Sequence, residues 1–295
     1  DDVFGDDPTV NQLQEKAARM FGMEDALFCA SGTMTNQLAI RVHTEPGSDV
    51  ICDKNAHIYL YEGGGIMLNA FSSVKLVEGD RGRITAAQVR DAISPVNDIH
   101  STVTRLVALE NTMNKGGGSY YDLKEIKAIR DVCDEHQIPL HLDGARLFNA
   151  LVETGESTQQ YGALFDTISI CLSKGLGCPV GSLLLGSKQA IAKARRFRKV
   201  MGGGWRQAGF LAAAGIYALD HHIVRLQEDH QRARAIAEMF AKRPEVAAIL
   251  PVDTNIVIIQ LDGSISETAY VKQLAEVGIR AVSFGKQLIR FVTHL

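Results

Sequence analysis

Short apolar runs alternate with longer amphipathic stretches along most of the chain. The apolar runs are rich in Leu, Val and Ile, which is typical of strands buried on both faces. The longer stretches repeat their apolar residues at helical spacing. The pattern predicts strands at residues 26–29, 49–52, 74–77, 105–109, 140–142, 167–171 and 182–185, and helices at 9–21, 33–43, 85–93 and 123–136. This alternation favours an α/β fold with a mostly parallel sheet covered by helices.

The pattern changes after residue 206. It predicts one long helical stretch at 207–240, strands at 255–260, 280–283 and 288–292, and a helix at 267–277. Strands and helices no longer alternate regularly there, which favours an α+β arrangement. We therefore expect a large α/β domain over residues 1–220 and a smaller C-terminal α+β domain over residues 221–295.

Composition narrows the class of protein. The chain has 295 residues, a formal net charge of −3 and 46% hydrophobic residues, which are ordinary values for a globular enzyme. It contains no long basic run and no apolar run of membrane-spanning length, so neither nucleic-acid nor membrane binding is indicated. The five cysteines show no zinc-ligand spacing, so no metal site is predicted, and free thiols favour a cytoplasmic location.

Lys174 is the only charged residue in the apolar stretch 167–187. Glycines and a proline argue against a membrane helix there, and the stretch predicts a strand, a loop and a second strand. An apolar setting lowers the pKa of a lysine and makes its neutral amine accessible. The neutral amine can form a Schiff base with an aldehyde. The alternative is a lysine whose ammonium group reaches the solvent.

Asp143 follows a predicted buried strand and precedes a glycine and a helix. Ligands bind at the carboxyl ends of strands in open α/β sheets. A carboxylate at that place could hold the protonated pyridine nitrogen of pyridoxal phosphate. The alternative is an Asp-Gly turn that only caps the helix. Lys174, placed after the next strand, favours the cofactor interpretation.

Two further segments carry candidate cofactor contacts. Ser31, Gly32 and Thr33 lie between a short strand and a helix, where free N–H groups and hydroxyls can bind a phosphate. The alternative there is an ordinary Ser/Thr helix cap. His57 follows another strand and could lie flat on a cofactor ring. A structural histidine is the alternative interpretation.

These segments together resemble the threonine aldolases, which are pyridoxal-phosphate enzymes of fold type I. The resemblance is collinear over the whole chain. It is carried by the strings DDVFGDDPTV (1–10), SGTMTNQLA (31–39), AHIYLYEGGG (56–65), LENT (109–112), HLDGARLFNA (141–150), CLSKGLGCPVGSLLLG (171–186), GGGWRQAGFLAAAGIYAL (202–219), RLQEDH (225–230) and IRFVTHL (289–295).

The resemblance implies a role for each matching residue. Lys174 would be the aldimine lysine, Asp143 would pair with the pyridine nitrogen, and His57 would stack on the ring and face the substrate hydroxyl. Arg146 would approach the cofactor's phenolic oxygen and the substrate, and Arg290 would clamp the substrate carboxylate. The phosphate would be held by Ser31, Gly32 and Thr33, with Arg206 added from a neighbouring subunit.

The implied reaction is retro-aldol cleavage of the external aldimine of L-threonine, L-allo-threonine or a related β-hydroxy-α-amino acid. Its products are glycine and an aldehyde, and the base is His57 or an ordered water. The resemblance also implies a homotetramer built of two dimers. The alternatives are another lyase of this fold, such as a phenylserine aldolase or a β-eliminating lyase, and an inactive relative.

The chain departs from the family pattern in three places. Met113 stands where the family has a histidine that contacts the substrate hydroxyl, so Met113 would line the substrate site and leave the threo or allo preference open. Lys115 and residues 116–118 replace a shorter Gly-Lys arrangement, and we expect a reshaped loop. The family's opening Arg-Ser-Asp-Thr segment and its last helix have no counterpart here, so we expect truncated termini.

Overall fold

A seven-stranded sheet forms the centre of the first part of the chain in the computed structural model, which describes residues 1–95 and 97–294. Its strands are β1 (Asp25–Cys29), β2 (Ser48–Asp53), β3 (Ser73–Val77), β4 (Val103–Glu110), β5 (Leu140–Gly144), β6 (Thr167–Cys171) and β7 (Ser182–Gly186). They lie in the order β1-β7-β6-β5-β4-β2-β3. The four pairs from β6 to β3 are parallel, and β7 is antiparallel to both neighbours. The predicted α/β fold with a mostly parallel sheet is confirmed.

Twelve α-helices are found in the described ranges. They are α1 (Pro8–Phe21), α2 (Gly32–His43), α3 (His57–Leu60), α4 (Gly65–Ala70), α5 (Ala86–Ala92), α6 (Leu123–His136), α7 (Leu147–Thr154), α8 (Thr158–Gly162), α9 (Lys188–Val200), α10 (Gly209–His221), α11 (Leu226–Phe240) and α12 (Glu267–Glu276). Thr85 and Gln88 form a capping box at the start of α5. Within residues 1–95 and 97–294, no helix combines the length and the apolar character that crossing a bilayer requires.

The prediction of one continuous helix at 207–240 is wrong, because the chain turns between α10 and α11. His222 ends α10, and its ring Nδ1 lies 2.6 Å from the carbonyl oxygen of Leu176. Helix α10 packs against α1, whereas α11 packs against α7 and the second sheet. Because α10 and α11 cover different layers of the protein, they run in different directions, and helical periodicity alone does not reveal such a change.

The second sheet is small and antiparallel. Its strands are β8 (Val246–Ile249), β9 (Ile256–Leu261), β10 (Val282–Gly285) and β11 (Leu288–Val292), in the order β10-β11-β9-β8. A separate core that includes Val257, Ile259 and Phe291 lies between this sheet and helices α11 and α12. All four strands fall within residues 221–295, and the domain boundary at residue 220 stays a prediction. Leu295, the last residue of the family string at 289–295, lies outside the described residues.

All five cysteines are buried and none forms a disulfide, as the sequence predicts. Burial raises the pKa of Cys29 to about 12 and that of Cys178 to about 11. The same cause raises the pKa of Cys52 and Cys133. These thiols therefore stay protonated at neutral pH and behave as small apolar side chains.

Candidate active site

The carboxyl ends of three neighbouring parallel strands bring acidic and basic side chains together. Glu110 at the end of β4 lies beside Asp143 of β5 in the strand register, and Asp143 in turn lies beside Ser169 of β6. Lys174 follows three residues after the end of β6. This is the edge of an open α/β sheet where ligands bind.

One cavity of about 210 Å³ unites six of the predicted site residues. Its lining includes Ser31, Gly32, Thr33, His57, Asp143 and Lys174. These residues come from four separate chain segments that the sheet and helix α2 hold together. The structure places them side by side, and their individual roles stay predictions.

Helix α2 presents its N-terminus to this cavity. Ser31 caps the helix, with its Oγ accepting a hydrogen bond from the Met34 N–H over 3.2 Å. The N–H groups of Gly32 and Thr33 have no acceptor inside the helix, because they belong to its first turn. A Cβ on Gly32 would lie 2.6 Å from Cys171 Sγ. The helix start therefore combines a cap with free donors, and only glycine fits beside Cys171.

The carboxylate of Asp143 is buried and held by two donors. Its Oδ2 accepts a hydrogen bond from Asn36 Nδ2 at 2.9 Å, and its Oδ1 accepts one from the Ala145 N–H at 3.1 Å. Asp143 therefore forms a local turn and also lines the cavity, but it does not cap α7, whose N-cap is Arg146. Its pairing with a cofactor nitrogen stays a prediction. A fixed carboxylate at this place can accept a proton-bearing nitrogen of a ligand.

Behind Asn36, a chain of hydrogen bonds extends away from the cavity. Asn36 Oδ1 lies 3.2 Å from His141 Nε2, His141 Nδ1 lies 2.9 Å from Thr167 Oγ1, and His43 Nε2 lies 3.1 Å from the same hydroxyl. Burial lowers the pKa of His43 and of His141 to about 4, so both rings are neutral. His141 Nδ1 also lies 3.1 Å from the Thr167 carbonyl oxygen, so each ring nitrogen faces an oxygen that can only accept, and the neutral ring can donate to either Asn36 or Thr167.

His57 is half-buried at the start of α3 and is anchored twice. Its ring Nδ1 lies 3.1 Å from Glu62 Oε1, and its backbone N–H donates to Glu110 Oε2 over 2.7 Å. Burial lowers the pKa of His57, but the hydrogen bond to Glu62 and the negative charges of Asp143 and Glu110 outweigh burial and raise it. Nδ1 faces a carboxylate and carries a proton, which leaves Nε2 as the nitrogen that can exchange one.

Glu62 is a buried residue that collects three donors. Its side chain accepts hydrogen bonds from Asn36 at 2.9 Å and Gln37 at 2.6 Å, besides the contact with His57. His57, Glu62 and Asp143 place one ligand atom each within 4.8 Å of one another, a spacing that could also hold a metal ion. Asn36 bonds both carboxylates, which ties them into the protein's own network.

Glu110 is fully enclosed beneath His57. Burial and the nearby charge of Asp143 raise its pKa to about 7, although the N–H groups of Asn114 and His57 oppose the shift. Those two donors lie 2.8 Å and 2.7 Å from its oxygens. Glu110 therefore changes its protonation near neutral pH.

Two arginines face the cavities around Lys174. Arg146 lines two of them, and its side chain makes no hydrogen bond or ion pair among the described residues. Arg290 Nη1 donates to Asn114 Oδ1 over 2.6 Å, whereas its buried Nε has no partner in the part of the chain that the structure describes. Burial, together with the charge of Arg146, lowers the pKa of Arg290. Two adjoining guanidinium groups with unused donors form a site for a carboxylate.

A larger cavity of about 550 Å³ extends outward from Lys174. It is lined by His57, Tyr61, Asn114, Lys115, Arg146, Lys174, Val282, Ser283, Phe284, Gly285 and Arg290. Five of these residues belong to β10 and β11 of the second sheet, and the others lie at α3 or in the segments that follow β4, β5 and β6 of the large sheet. A substrate that reaches Lys174 therefore has room between the two sheets.

Two predicted site residues lie elsewhere. Met113 is fully buried and packs against Gly82, so the expected direct contact with a substrate is wrong: a side chain with no exposed surface cannot line the site. Arg206 has an exposed side chain that pairs with Asp1 at 2.9 Å and covers the ring of Phe4. Arg206 does not line the three cavities around Lys174 in its own chain. Its contact with a neighbour's phosphate site stays a prediction.

The loop at residues 115–118 is held at several points; whether its path differs from that of the family stays a prediction. The carbonyl oxygen of Gly116 accepts hydrogen bonds from Arg81 at 2.9 Å and 2.6 Å, and that of Gly118 accepts one from Thr254 Oγ1 at 2.9 Å. Arg81 also bonds the carbonyl of Pro251. These contacts join the loop to the segment that leads into β9.

Sequence reasoning missed Asn36, Glu62, Glu110 and Asn114. A signal existed for Asn36, because it lies four residues after Gly32 and therefore on the same face of α2. Glu62 approaches His57 only because α3 ends at once and the chain turns back toward α2. The glycines at 63–65 indicate a turn, but the local sequence does not show which side chains that turn brings together.

Comparisons with known proteins agree with this geometry. The family model described as "Beta-eliminating lyase" matches residues 1–264. The low specificity L-threonine aldolase of Escherichia coli strain K12 is 41% identical over 298 residues, covering 100% of this chain and 86% of that protein. The low-specificity L-threonine aldolase 1 of Arabidopsis thaliana is 39% identical over 303 residues, covering 100% and 84%. The solved threonine aldolase of Leishmania major superposes with a TM-score of 0.80 at 22% identity, covering 97% of this chain and 83% of that one.

Proposed function

The chain belongs to the threonine aldolases of the beta-eliminating lyase family, and on that premise we propose that it cleaves L-threonine and L-allo-threonine to glycine and an aldehyde with the help of pyridoxal phosphate. One observation carries the proposal. Lys174, Asp143, His57 and the free N-terminus of α2 line the same cavity. An aldehyde-bearing, phosphorylated pyridine needs these four partners together.

The residues present fit this cofactor. Gly32 packs so closely against Cys171 that a Cβ would not fit, and the adjacent N–H groups suit a phosphate. Lys174 would attach the cofactor's aldehyde carbon through Nζ, and Asp143 would accept a hydrogen bond from the pyridinium nitrogen. Pyridoxal phosphate supplies an electron sink for the pair released at the substrate's Cα. Asp143 is held ready for this role by Asn36 and the Ala145 N–H.

Arg290 and Arg146 would bind the α-carboxylate of the amino acid. The unpartnered Nε of Arg290 and the free guanidinium of Arg146 offer donors on one side of Lys174. Asn114 fixes the Nη1 end of Arg290, so the guanidinium plane is oriented before a substrate arrives. Orientation of this kind is worth a large part of a rate enhancement.

His57 would remove the proton of the substrate's β-hydroxyl at Nε2. Glu62 holds Nδ1 and stabilises the positive charge that the ring gains. Loss of that proton lets the oxygen form a carbonyl as the Cα–Cβ bond breaks. The aldehyde then leaves, and Cα takes up a proton to give glycine.

The test is a purified protein incubated with pyridoxal phosphate, followed by assays of colour, borohydride fixation and aldehyde release. We expect a yellow protein, a covalent adduct on Lys174 after reduction, and aldehyde from L-threonine and L-allo-threonine but not from the D-isomers. L-phenylserine tests the related alternative. A Lys174→Ala variant should bind the cofactor without a covalent adduct. A colourless protein that releases no aldehyde would overturn the proposal.

We further propose a homotetramer, a dimer of dimers, in the cytoplasm. Exposed apolar side chains cluster beside His57 on α3 and α4, namely Tyr59, Leu60, Tyr61, Met67, Leu68 and Phe71. Contiguous apolar surface of this kind supports subunit contact. The five unpaired cysteines support a reducing compartment. Light scattering on the purified protein and cell fractionation test the two statements.

A further inference from the structure

Lys115 places an ammonium group at the outer end of the 550 Å³ cavity. Its Nζ donates to the carbonyl oxygen of Phe284 over 2.9 Å. It also lies 4.1 Å from the centre of the Phe284 ring and 5.9 Å from that of Tyr61. The side chain is half-buried, and its tip is therefore fixed between two aromatic rings rather than free in solvent.

This ammonium group has no carboxylate partner among residues 1–95 and 97–294. The cavity lining contains four cationic side chains, Lys115, Arg146, Lys174 and Arg290, and no carboxylate. The acidic groups of the site, Glu110 and Asp143, lie beneath it and already accept hydrogen bonds from the protein. The cavity is thus electropositive and attracts anionic ligands.

The proposed reaction uses three of these four cations. Lys174 is assigned to the cofactor, and Arg146 and Arg290 are assigned to the α-carboxylate of the amino acid and the cofactor oxygen. Lys115 has no part in that assignment, although it lines the same cavity as Lys174 and the two arginines. A methyl group, as in threonine, gives this ammonium nothing to bind.

We propose that the preferred substrates are β-hydroxy-α-amino acids whose side chain ends in a second carboxylate, and that Lys115 binds that carboxylate. This inference rests on the proposed aldolase function. The simplest such substrate is L-3-hydroxyaspartate. The hydroxyl loses its proton, the Cα–Cβ bond breaks, and the β-carbon becomes the aldehyde carbon of glyoxylate. The electron pair of the broken bond stays with Cα, which takes up one proton to give glycine. No oxidant or further reactant is needed.

The experiment measures kcat/KM for the two L-3-hydroxyaspartate diastereomers and for L-threonine with the holoenzyme. We expect kcat/KM for the better diastereomer to exceed kcat/KM for L-threonine by more than about tenfold, which corresponds to about 1.4 kcal/mol. Lys115→Met should lower this ratio by about the same factor, and Lys115→Arg should keep most of it. Lys286→Met is the matched control, since Lys286 is an exposed lysine in the nearby hairpin and does not line the cavity.

A second measurement uses the unaltered enzyme alone. L-aspartate should inhibit L-threonine cleavage with an inhibition constant at least about tenfold below that of L-2-aminobutyrate, which lacks the second carboxylate. Equal inhibition by both compounds would overturn the inference. So would a Lys115→Met variant that loses activity toward both substrates equally, because Lys115 would then only clamp Phe284. If the enzyme cleaves L-threonine without a preference for hydroxyaspartate, this inference alone is refuted. If it cleaves neither compound, the aldolase function is refuted.

Discussion

The side-chain amide of Asn36 donates a hydrogen bond to the buried carboxylate of Asp143, with 2.9 Å between Nδ2 and Oδ2. Asn36 also donates to Glu62, and its Oδ1 lies 3.2 Å from His141 Nε2. A single amide therefore fixes both carboxylates that would act on the cofactor and on His57. Its position on α2 links the helix that would hold the phosphate to the strand that carries Asp143.

Replacing Asn36 should impair turnover more than folding. In Asn36→Leu both carboxylates lose a donor, and misplacement of Asp143 should lower kcat by about 10- to 100-fold. Unsatisfied buried acceptors should cost about 1–3 kcal/mol of unfolding free energy. Steady-state kinetics and urea unfolding measure the two effects. Asn11→Leu, at a half-buried asparagine far from the site whose side chain bonds only a backbone oxygen, should show neither effect.

Glu62→Gln should lower the pKa of His57, because a neutral amide no longer favours the charged ring. If His57 must be neutral to take the hydroxyl proton, the acid limb of the kcat/KM profile should move to lower pH by about one unit. The measurement is kcat/KM for L-threonine between pH 5 and pH 9, chosen to cover about two units around neutrality. Glu78→Gln, at an exposed ion pair with Lys54, is the control. An unmoved limb would exclude His57 as the titrating base.

Glu110 should make stability fall with rising pH. Its pKa is raised from 4.5 to about 7 in the folded protein, so between these values the folded state keeps a proton that the unfolded state has lost. The free energy of unfolding from this group is therefore greatest below pH 4.5 and declines as the pH rises through about 7. Urea titrations across this window should show that decline, and Glu110→Gln should flatten it. An identical slope in the variant would contradict the assignment.

Gly32→Ala should weaken cofactor binding by about 10- to 100-fold, the range expected from 1–3 kcal/mol of overpacking. The added Cβ would lie 2.6 Å from Cys171 Sγ and would displace the start of α2. Cys171→Ala removes that sulfur, so the double variant should recover much of the affinity. Titration with pyridoxal phosphate, followed by absorbance, measures all three proteins. Absence of any recovery would show that the contact with Cys171 is not the cause.

Arg290→Lys should raise KM for L-threonine by about tenfold and leave cofactor affinity near that of the parent. A lysine ammonium cannot reproduce a guanidinium plane that Asn114 orients at one end. Arg280→Lys, at an exposed arginine on the rim of the neighbouring cavity, is the matched control. Equal KM values for the parent and Arg290→Lys would remove Arg290 from the carboxylate site.

Much of the fold was accessible from the pattern of apolar residues, because parallel strands buried on both faces have a distinct composition. The strand at Thr167–Cys171 and the helix at Leu123–His136 have the predicted bounds. The turn at 222–225 was not accessible, since it depends on which layer each helix covers. Strand β8 was also missed, because its residues are mostly exposed at an edge of the small sheet.

The candidate site likewise contains residues that the sequence indicates and residues that only the folded chain brings together. Residues that carry chemistry at strand ends or at a helix N-terminus, such as Lys174, Asp143 and Gly32, could be found from their immediate neighbours. Glu62 and Asn114 act through Asn36 and Arg290, which are 26 and 176 residues away in the sequence, so only the folded chain brings these pairs together. Met113 shows the opposite error. Its place in the sequence suggests contact with a substrate, but its side chain packs inward against Gly82.

The anchoring of residues 113–118 bears on how such enzymes can be redesigned. Arg81 and Thr254 set the path of this loop from two different parts of the chain. Copying Lys115 alone into a relative would therefore leave its ammonium group without a defined direction. Transplanting substrate preference between relatives requires moving the loop together with both anchors, as one interchangeable module.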